Sequence, residues 1–218
     1  MKAPAAPATE YVPVYFRAGF TGDESPYQGW PNDEKDELWQ ELYHHGVTLR
    51  ISADEHKSLV NQTIRVPIAG YENDYFGGLD VFHQLHCLNQ IRMGYYPRRY
   101  NTSMTNPDGT VSYDQWLHID HCIESLRQSI MCHSDIGFNT FKWLDDKKIT
   151  QPMLNDMHMC RNFDKIREWA FDRYVSLDNR RAHVENGVLV DYSSWGPDPD
   201  SLLEGVVPKG WNYTVDDL

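Results

Sequence analysis

One frame, His-x-x-His-Cys, is written twice in this chain, 35 residues apart: Phe82-His83-Gln84-Leu85-His86-Cys87-Leu88 and Leu117-His118-Ile119-Asp120-His121-Cys122-Ile123. Four of the ten histidines and two of the four cysteines fall into it. Each copy continues into an aliphatic residue and an arginine at matching offsets, Ile91-Arg92 and Leu126-Arg127, so the repeat includes an apolar stripe of helical spacing. Side chains at i and i+3 share one helical face with Cβ atoms roughly 5–6 Å apart, which lets two imidazoles meet at one ion. The frame therefore demands two similar helices that present His83, His86, His118 and His121 to a common metal site. A single such pair would be read as ordinary hydrogen-bonded histidines; repetition of the whole frame favours ligands. Imidazole suits copper, zinc, iron or nickel rather than calcium or magnesium.

The cysteine that closes each frame sits four residues after the first histidine and shares its face, so it can offer a thiolate or form a disulfide. Cys122 and Cys132 on one continuous helix would be roughly 15 Å apart and cannot bond. If the two frames share a site on parallel helices, Cys87 comes level with Cys122, leaving Cys132 for Cys160; antiparallel helices would displace the first pair, so that crosslink predicts parallel packing. His158, two residues before Cys160, is the best further ligand candidate. His133 reads as a helix-terminal or solvent histidine, as do His44, His45, His56 and His183. Asp120 is a weak candidate for acid/base work, with a solvated helix position as the plainer reading. Arg92 and Arg127 most simply pair with acidic neighbours.

The remaining sequence predicts a mainly α fold: one compact helical domain in which the two frame-bearing helices form the metal site, with long irregular arms around it and little β-structure. Residues 1–30 read as an extended arm, 31–180 as the helical core and 181–218 as an irregular C-terminal arm. Helices are expected over Asp33–His45 with Asn32 as cap, briefly after a capping box at Ser52, over Leu79–Met93, over Tyr113–Cys132 from a second capping box at Ser112, and over Asp156–Leu177. Residues 62–78 suit a short strand or loop, and 95–111 a turn-rich connection.

At 218 residues and a formal charge of −12, the chain can bury a core but lacks the basic patch that nucleic acid or an anionic membrane requires. No run approaches the roughly 18 apolar residues of a membrane span, so the chain reads as soluble. There is no glycine-rich phosphate loop, Gly77-Gly78 being only a pair, and no GxSxG or HExxH frame. An even cysteine count and three Asn-x-Ser/Thr sequons, at Asn61, Asn101 and Asn212, suit the lumen of the secretory pathway with glycosylation there. The Pro/Ala-rich start leads us to expect an anchoring helix preceding this chain in the full-length protein.

The paired frames, together with Leu88-Asn89 and Tyr95-Tyr96 after the first, Leu126-Arg127-Gln128-Ser129-Ile130-Met131-Cys132 after the second, and His158-Met159-Cys160-Arg161, resemble the fungal ustiloxin-type oxidases, the UstYa-like proteins. The resemblance covers about residues 33–175. It implies haem-free oxidative tailoring of fungal secondary metabolites, in several cases with copper: crosslinking or desaturation of ribosomal cyclic peptides, hydroxylation, or halogenation. Many such proteins carry an N-terminal membrane helix. The expectation is an oxidoreductase that uses dioxygen as co-substrate and takes one or two coppers, two being favoured because four imidazoles around one ion leave little room for oxygen. The two would share the four histidines, completed by His158, water or a second subunit. The partners expected are a small-molecule or cyclic peptide substrate and a homodimeric or related heterodimeric mate. The rival reading is a secreted, non-catalytic binding module whose imidazoles close around a structural zinc.

Overall fold

A computed structural model describes residues 3–20, 22–196 and 207–217. Its helices are α1 (Asp33–Glu41), α2 (Ala53–His56), α3 (Asp80–Gly94), α4 (Pro97–Tyr100), α5 (Tyr113–His133) and α6 (Phe163–Phe171). Its strands are β1 (Tyr11–Tyr15), β2 (Leu49–Ile51), β3 (Tyr75–Gly77), β4 (Thr140–Leu144), β5 (Ile149–Met153), β6 (Met157–Arg161), β7 (Ala182–Glu185) and β8 (Val188–Asp191). They pair as four two-stranded antiparallel ribbons, β1–β6, β2–β3, β4–β5 and β7–β8.

The mainly α expectation is thus overturned, since about 35% of the chain is helical and 20% is strand. The four ribbons make the difference, and residues 156–177 show how one of them replaces an expected helix. Met157, His158, Met159 and Cys160 alternate with a period of two, and the strand they form pairs with Tyr11-Val12-Pro13-Val14-Tyr15 from the N-terminal arm. The expected helix begins only after Asn162, whose side chain caps it by accepting from the Lys165 amide. A strand pairing across some 150 residues leaves no local signal in either partner beyond that alternation.

Other elements follow their sequence signals closely. Asn32 caps α1 through the Lys35 amide, and Ser52 and Glu55 close a reciprocal capping box on α2. The box expected at Ser112 does not form, although α5 starts where it should. Helix α1 stops at Glu41, short of His45, because the chain tightens into a 3-10 turn at His44–Gly46.

That turn fixes the core. Tyr43, Leu49, Phe82 and Ala170 form its buried centre, packed round by Leu42, Leu79, Val81, Leu85, Phe163, Trp169 and Phe171. Phe82 is fully buried, and a Cβ on Gly46 would lie 2.2 Å from its Cγ, so only glycine lets the turn close over the ring. Beside it the Asn89 amide donates to the Tyr43 hydroxyl at 3.1 Å. Arg92 donates to Asn89 at 2.9 Å and to Asp36 at 2.8 Å, which ties α3 to α1. Burial alone would raise the Asp36 pKa, but hydrogen bonds from Tyr100, Arg92 and Arg99 outweigh it and hold the carboxyl below its usual range.

Gly46→Ala should therefore destabilise the protein by about 2 kcal/mol through overpacking against Phe82, read as a lower urea midpoint at unchanged slope.

Candidate metal centre

Among the described residues, α3 and α5 make the most extensive contact of any two helices. Burial of Phe82, Cys87 and Asn89 sets the rotation of α3 about its own axis, and this turns His83 and His86 toward α5. The histidines then meet crosswise. His83 Nε2 lies 3.4 Å from His121 Nε2, with ring centroids 5.3 Å apart, and the His86 and His118 rings stack at 6.0 Å. First histidine meets second and second meets first, while Cys87 touches Cys122. This is the pairing a local two-fold axis produces when it passes between the cysteines. Ser129, seven residues after Cys122, donates to Gln84, three residues before Cys87, at 2.9 Å; parallel helices level at the cysteines would set these two roughly 15 Å out of step, so the helices run in an antiparallel sense, contrary to the parallel packing expected. The cysteines still come together because residues on the axis are not displaced by the reversal.

The donor separations fit a metal ion. Two imidazole nitrogens about 2.0–2.1 Å from one ion at a tetrahedral angle are about 3.4 Å apart, which matches His83 and His121. Cys87 Sγ is 3.7 Å from His83 Nε2, and the ligand atoms of His83, Cys87 and His121 all lie within 4.8 Å of one another. The four cysteines are free thiols in this structure; Cys87 and Cys122 are fully buried, Cys160 is half-buried and Cys132 exposed. Burial first, then the neighbouring Cys87 thiol, pushes the Cys122 pKa well up. Cys87 is thus shared between a cysteine partner and the histidine cluster.

Desolvation, followed by the neighbouring His118 and His83, lowers the His86 pKa. Its ring also meets Tyr43 edge-on at 5.5 Å, which links the site to the core. Asp80, in the first turn of α3, was not a sequence candidate; its Oδ1 faces His83 Nδ1 at 3.7 Å, on the side away from His121. The i to i+3 spacing of Asp80 and His83 was the available signal.

His158 joins a different group. Its ring stacks on Phe16 at 3.8 Å and its Nδ1 lies 2.7 Å from Asp135 Oδ2. Asp120 is exposed and, among the described residues, has no hydrogen-bond or ion-pair partner, as the solvated reading anticipates. Arg92 pairs with Asp36 and Arg127 with Glu124. His133 caps the end of α5 through the Ser129 carbonyl, whereas His56 departs from the solvent reading, being buried and stacked on Tyr75 at 3.5 Å. Asn61, Asn101 and Asn212 are all exposed. Two hollows of about 380 and 680 Å³, one at His44, His45 and Phe171 and the other at Trp30, Tyr95 and Tyr96, are lined by none of the repeat histidines. His118 and His121 are exposed, so the cluster opens at the surface.

Residues 1–173 match the family model described as mycotoxin biosynthesis protein UstYa. The chain is 39% identical over 162 residues to the UstYa family oxidase phomYc of Diaporthe leptostromiformis, covering 71% of this chain and 61% of that protein. It is 38% identical over 98 residues to the oxidase ustYa of Aspergillus flavus, covering 43% and 40% of the two. It is also 28% identical over 197 residues to the transacylase cctO of Talaromyces islandicus, covering 84% and 65%. The chain spans about six-tenths of the length of phomYc. No solved structure matches it. With the family model matching most of its length and both of the paired frames lying inside the match, the chain belongs to the UstYa family.

Proposed function

We propose that this chain is the metal-binding body of a copper-dependent, haem-free oxidative tailoring enzyme of secondary-metabolite biosynthesis, acting on a small molecule or cyclic peptide. The observation that carries this reading is the pair of imidazole pairs, His83 with His121 and His86 with His118, meeting at a surface-open crossing of two helices. Two pairs favour two coppers per chain. Bound copper would supply one-electron chemistry with dioxygen and so the removal of hydrogen from an unactivated C–H bond. Crosslinking, hydroxylation, desaturation and halogenation are the alternative outcomes of that removal.

The protein's own part is to prepare and hold the ligands. A lowered pKa keeps His86 neutral, hence a competent ligand, at pH values where an ordinary histidine begins to protonate. Asp80 Oδ1 lies 3.7 Å from His83 Nδ1, too far for a hydrogen bond but on the ring edge opposite His121, where its charge favours a proton on Nδ1 and leaves Nε2 to a metal. The buried Phe82 and Asn89 keep the α3 half-site from turning. An open cluster lets a substrate larger than a closed pocket approach, and positioning of that substrate is what would decide among the oxidative outcomes. Acyl transfer, which the name of one relative suggests, is poorly supported: Cys87, the one thiol beside a repeat histidine, is fully buried and faces Cys122.

Exposed sequons and four cysteines support a lumenal location for the protein. No helix among the described residues is long and apolar enough to cross a membrane.

Stripped of metal and reloaded, the protein should hold close to two coppers per chain with an EPR signal of nitrogen ligation, and a His86→Ala/His121→Ala double variant should lose that binding while keeping its circular dichroism. Retention of zinc alone, with no copper and no oxygen uptake, would replace this reading with the structural-zinc module.

The metal-free protein gives a second test. Because the folded pKa of His86 lies below the ordinary 6.5, its contribution to stability is complete above pH 6.5 and is lost as pH falls through the lowered value. The urea midpoint should fall between about pH 7.5 and 5.5, and less steeply in His86→Phe, which removes the titrating ring.

A further inference from the structure

Gln84 lies inside the first frame without being a ligand, and it bonds to both helices of the site. Its side-chain nitrogen donates to Asp80 Oδ2, one turn earlier on α3. Its oxygen accepts from the Ser129 hydroxyl of α5 at 2.9 Å. Beyond Ser129, His133 Nδ1 lies 2.9 Å from the Ser129 carbonyl, and Arg161 of β6 reaches His133 Nε2 at 3.2 Å. The two ends of this chain of contacts fix the protons between them. An ionised carboxylate only accepts and a guanidinium only donates, so the Gln84 nitrogen faces Asp80, its oxygen takes the Ser129 proton, and neutral His133 carries its proton on Nδ1. Asp80 is 74% exposed, and among the described residues Gln84 is the one hydrogen-bond partner of its carboxylate. The second frame has no counterpart: Gln115 and Ile119 stand where the first has Asp80 and Gln84, and Gly94 stands on α3 where α5 has Ser129. The local two-fold therefore does not require this arrangement, which serves His83 alone.

We propose that Gln84 is a positioning residue of the metal centre: braced by Ser129, it holds Asp80 at the Nδ1 edge of His83, which keeps the His83 proton on Nδ1 and leaves Nε2 bare on the side of His121. This role rests on the frame histidines being metal ligands, as proposed above. A negative charge beside one ring nitrogen favours the tautomer with its proton there, and the other nitrogen is then free to ligate. A neutral imidazole in water instead prefers its proton on Nε2, the atom that ligation needs. His121 Nε2, 3.4 Å across the site, can donate to or accept from His83 Nε2 and so suits either tautomer. The choice falls to Asp80, and an exposed carboxylate released by Gln84 would turn away into water instead of staying 3.7 Å from His83 Nδ1. The bond to Ser129 also ties α3 to α5 directly beside the His83 and His121 pair.

Long-range proton–nitrogen NMR of the metal-free protein at about pH 8.5, where histidines are neutral, reads the tautomer directly. Wild-type His83 should carry its proton on Nδ1, and Gln84→Met and Asp80→Asn should each shift it toward Nε2. In competition assays, Gln84→Met should raise the copper(II) dissociation constant about tenfold or more at unchanged circular dichroism. Ser129→Ala, a smaller change should Gln84→Met fail to fold, should move the tautomer the same way. Gln128→Met, which removes a different glutamine bond on α5, to Glu124, should leave both readings unchanged. Wild-type His83 protonated on Nε2 overturns the proposal. So does a Gln84→Met variant that loses copper affinity while its His83 tautomer stays put, since Gln84 would then be a brace between helices and nothing more. A wild type that binds no copper would strike the copper reading itself, and the tautomer would still decide the role of Gln84.

Discussion

Phe82 and His83 are neighbours with opposite obligations, and the site depends on both being met. Phe82 is drawn fully into the core under Gly46, and Cys87 and Asn89 are buried with it. Removing a buried aromatic ring of this kind costs about 3–5 kcal/mol, far more than a few degrees of helix rotation could recover elsewhere, so the rotation of α3 is set by its buried residues. Once that rotation is fixed, His83 and His86 have one direction left, toward α5. The hydrogen bonds from Asn89 to Tyr43 and from Arg92 to Asp36 extend the same constraint along α3 and onto α1. A histidine cluster built this way is held in place by the core.

The clustering of the four frame histidines was legible in the sequence because it rests on local spacing: i and i+3 on a helix is a short-range rule, and duplication supplied the second helix. The caps at Asn32 and Ser52 were legible for the same reason. What sequence could not supply was the relation between distant segments. The β1–β6 ribbon joins Tyr11–Tyr15 to Met157–Arg161, and each strand by itself is too short to distinguish alternation from an irregular or helical run. His158 followed that ribbon to Phe16 and Asp135 instead of to the frame histidines. The direction of helix packing was misread because the argument from Cys87 and Cys122 treated them as points along two rods. A two-fold through the contact makes their meeting compatible with reversed helices, and the hydrogen bond from Ser129 to Gln84 requires that arrangement.

The two frames are alike in sequence and unlike in environment, and this asymmetry bears on how the site would work. On α3 the frame is embedded: His83 and His86 are half-buried, and Arg92 lies in the Asp36 and Tyr100 network. On α5 the same frame lies at the surface: His118 and His121 are exposed, and Arg127 turns to its own helix, at Glu124 and Met131. Burial is the leading cause of the lowered His86 pKa, so the electrostatic tuning is concentrated on the α3 side. The α3 half-site is thus the rigid, desolvated member and the α5 half-site the accessible one. An incoming molecule would meet the site from the side of α5, where His118 and His121 already face solvent and where changing the ligand set disturbs the core least.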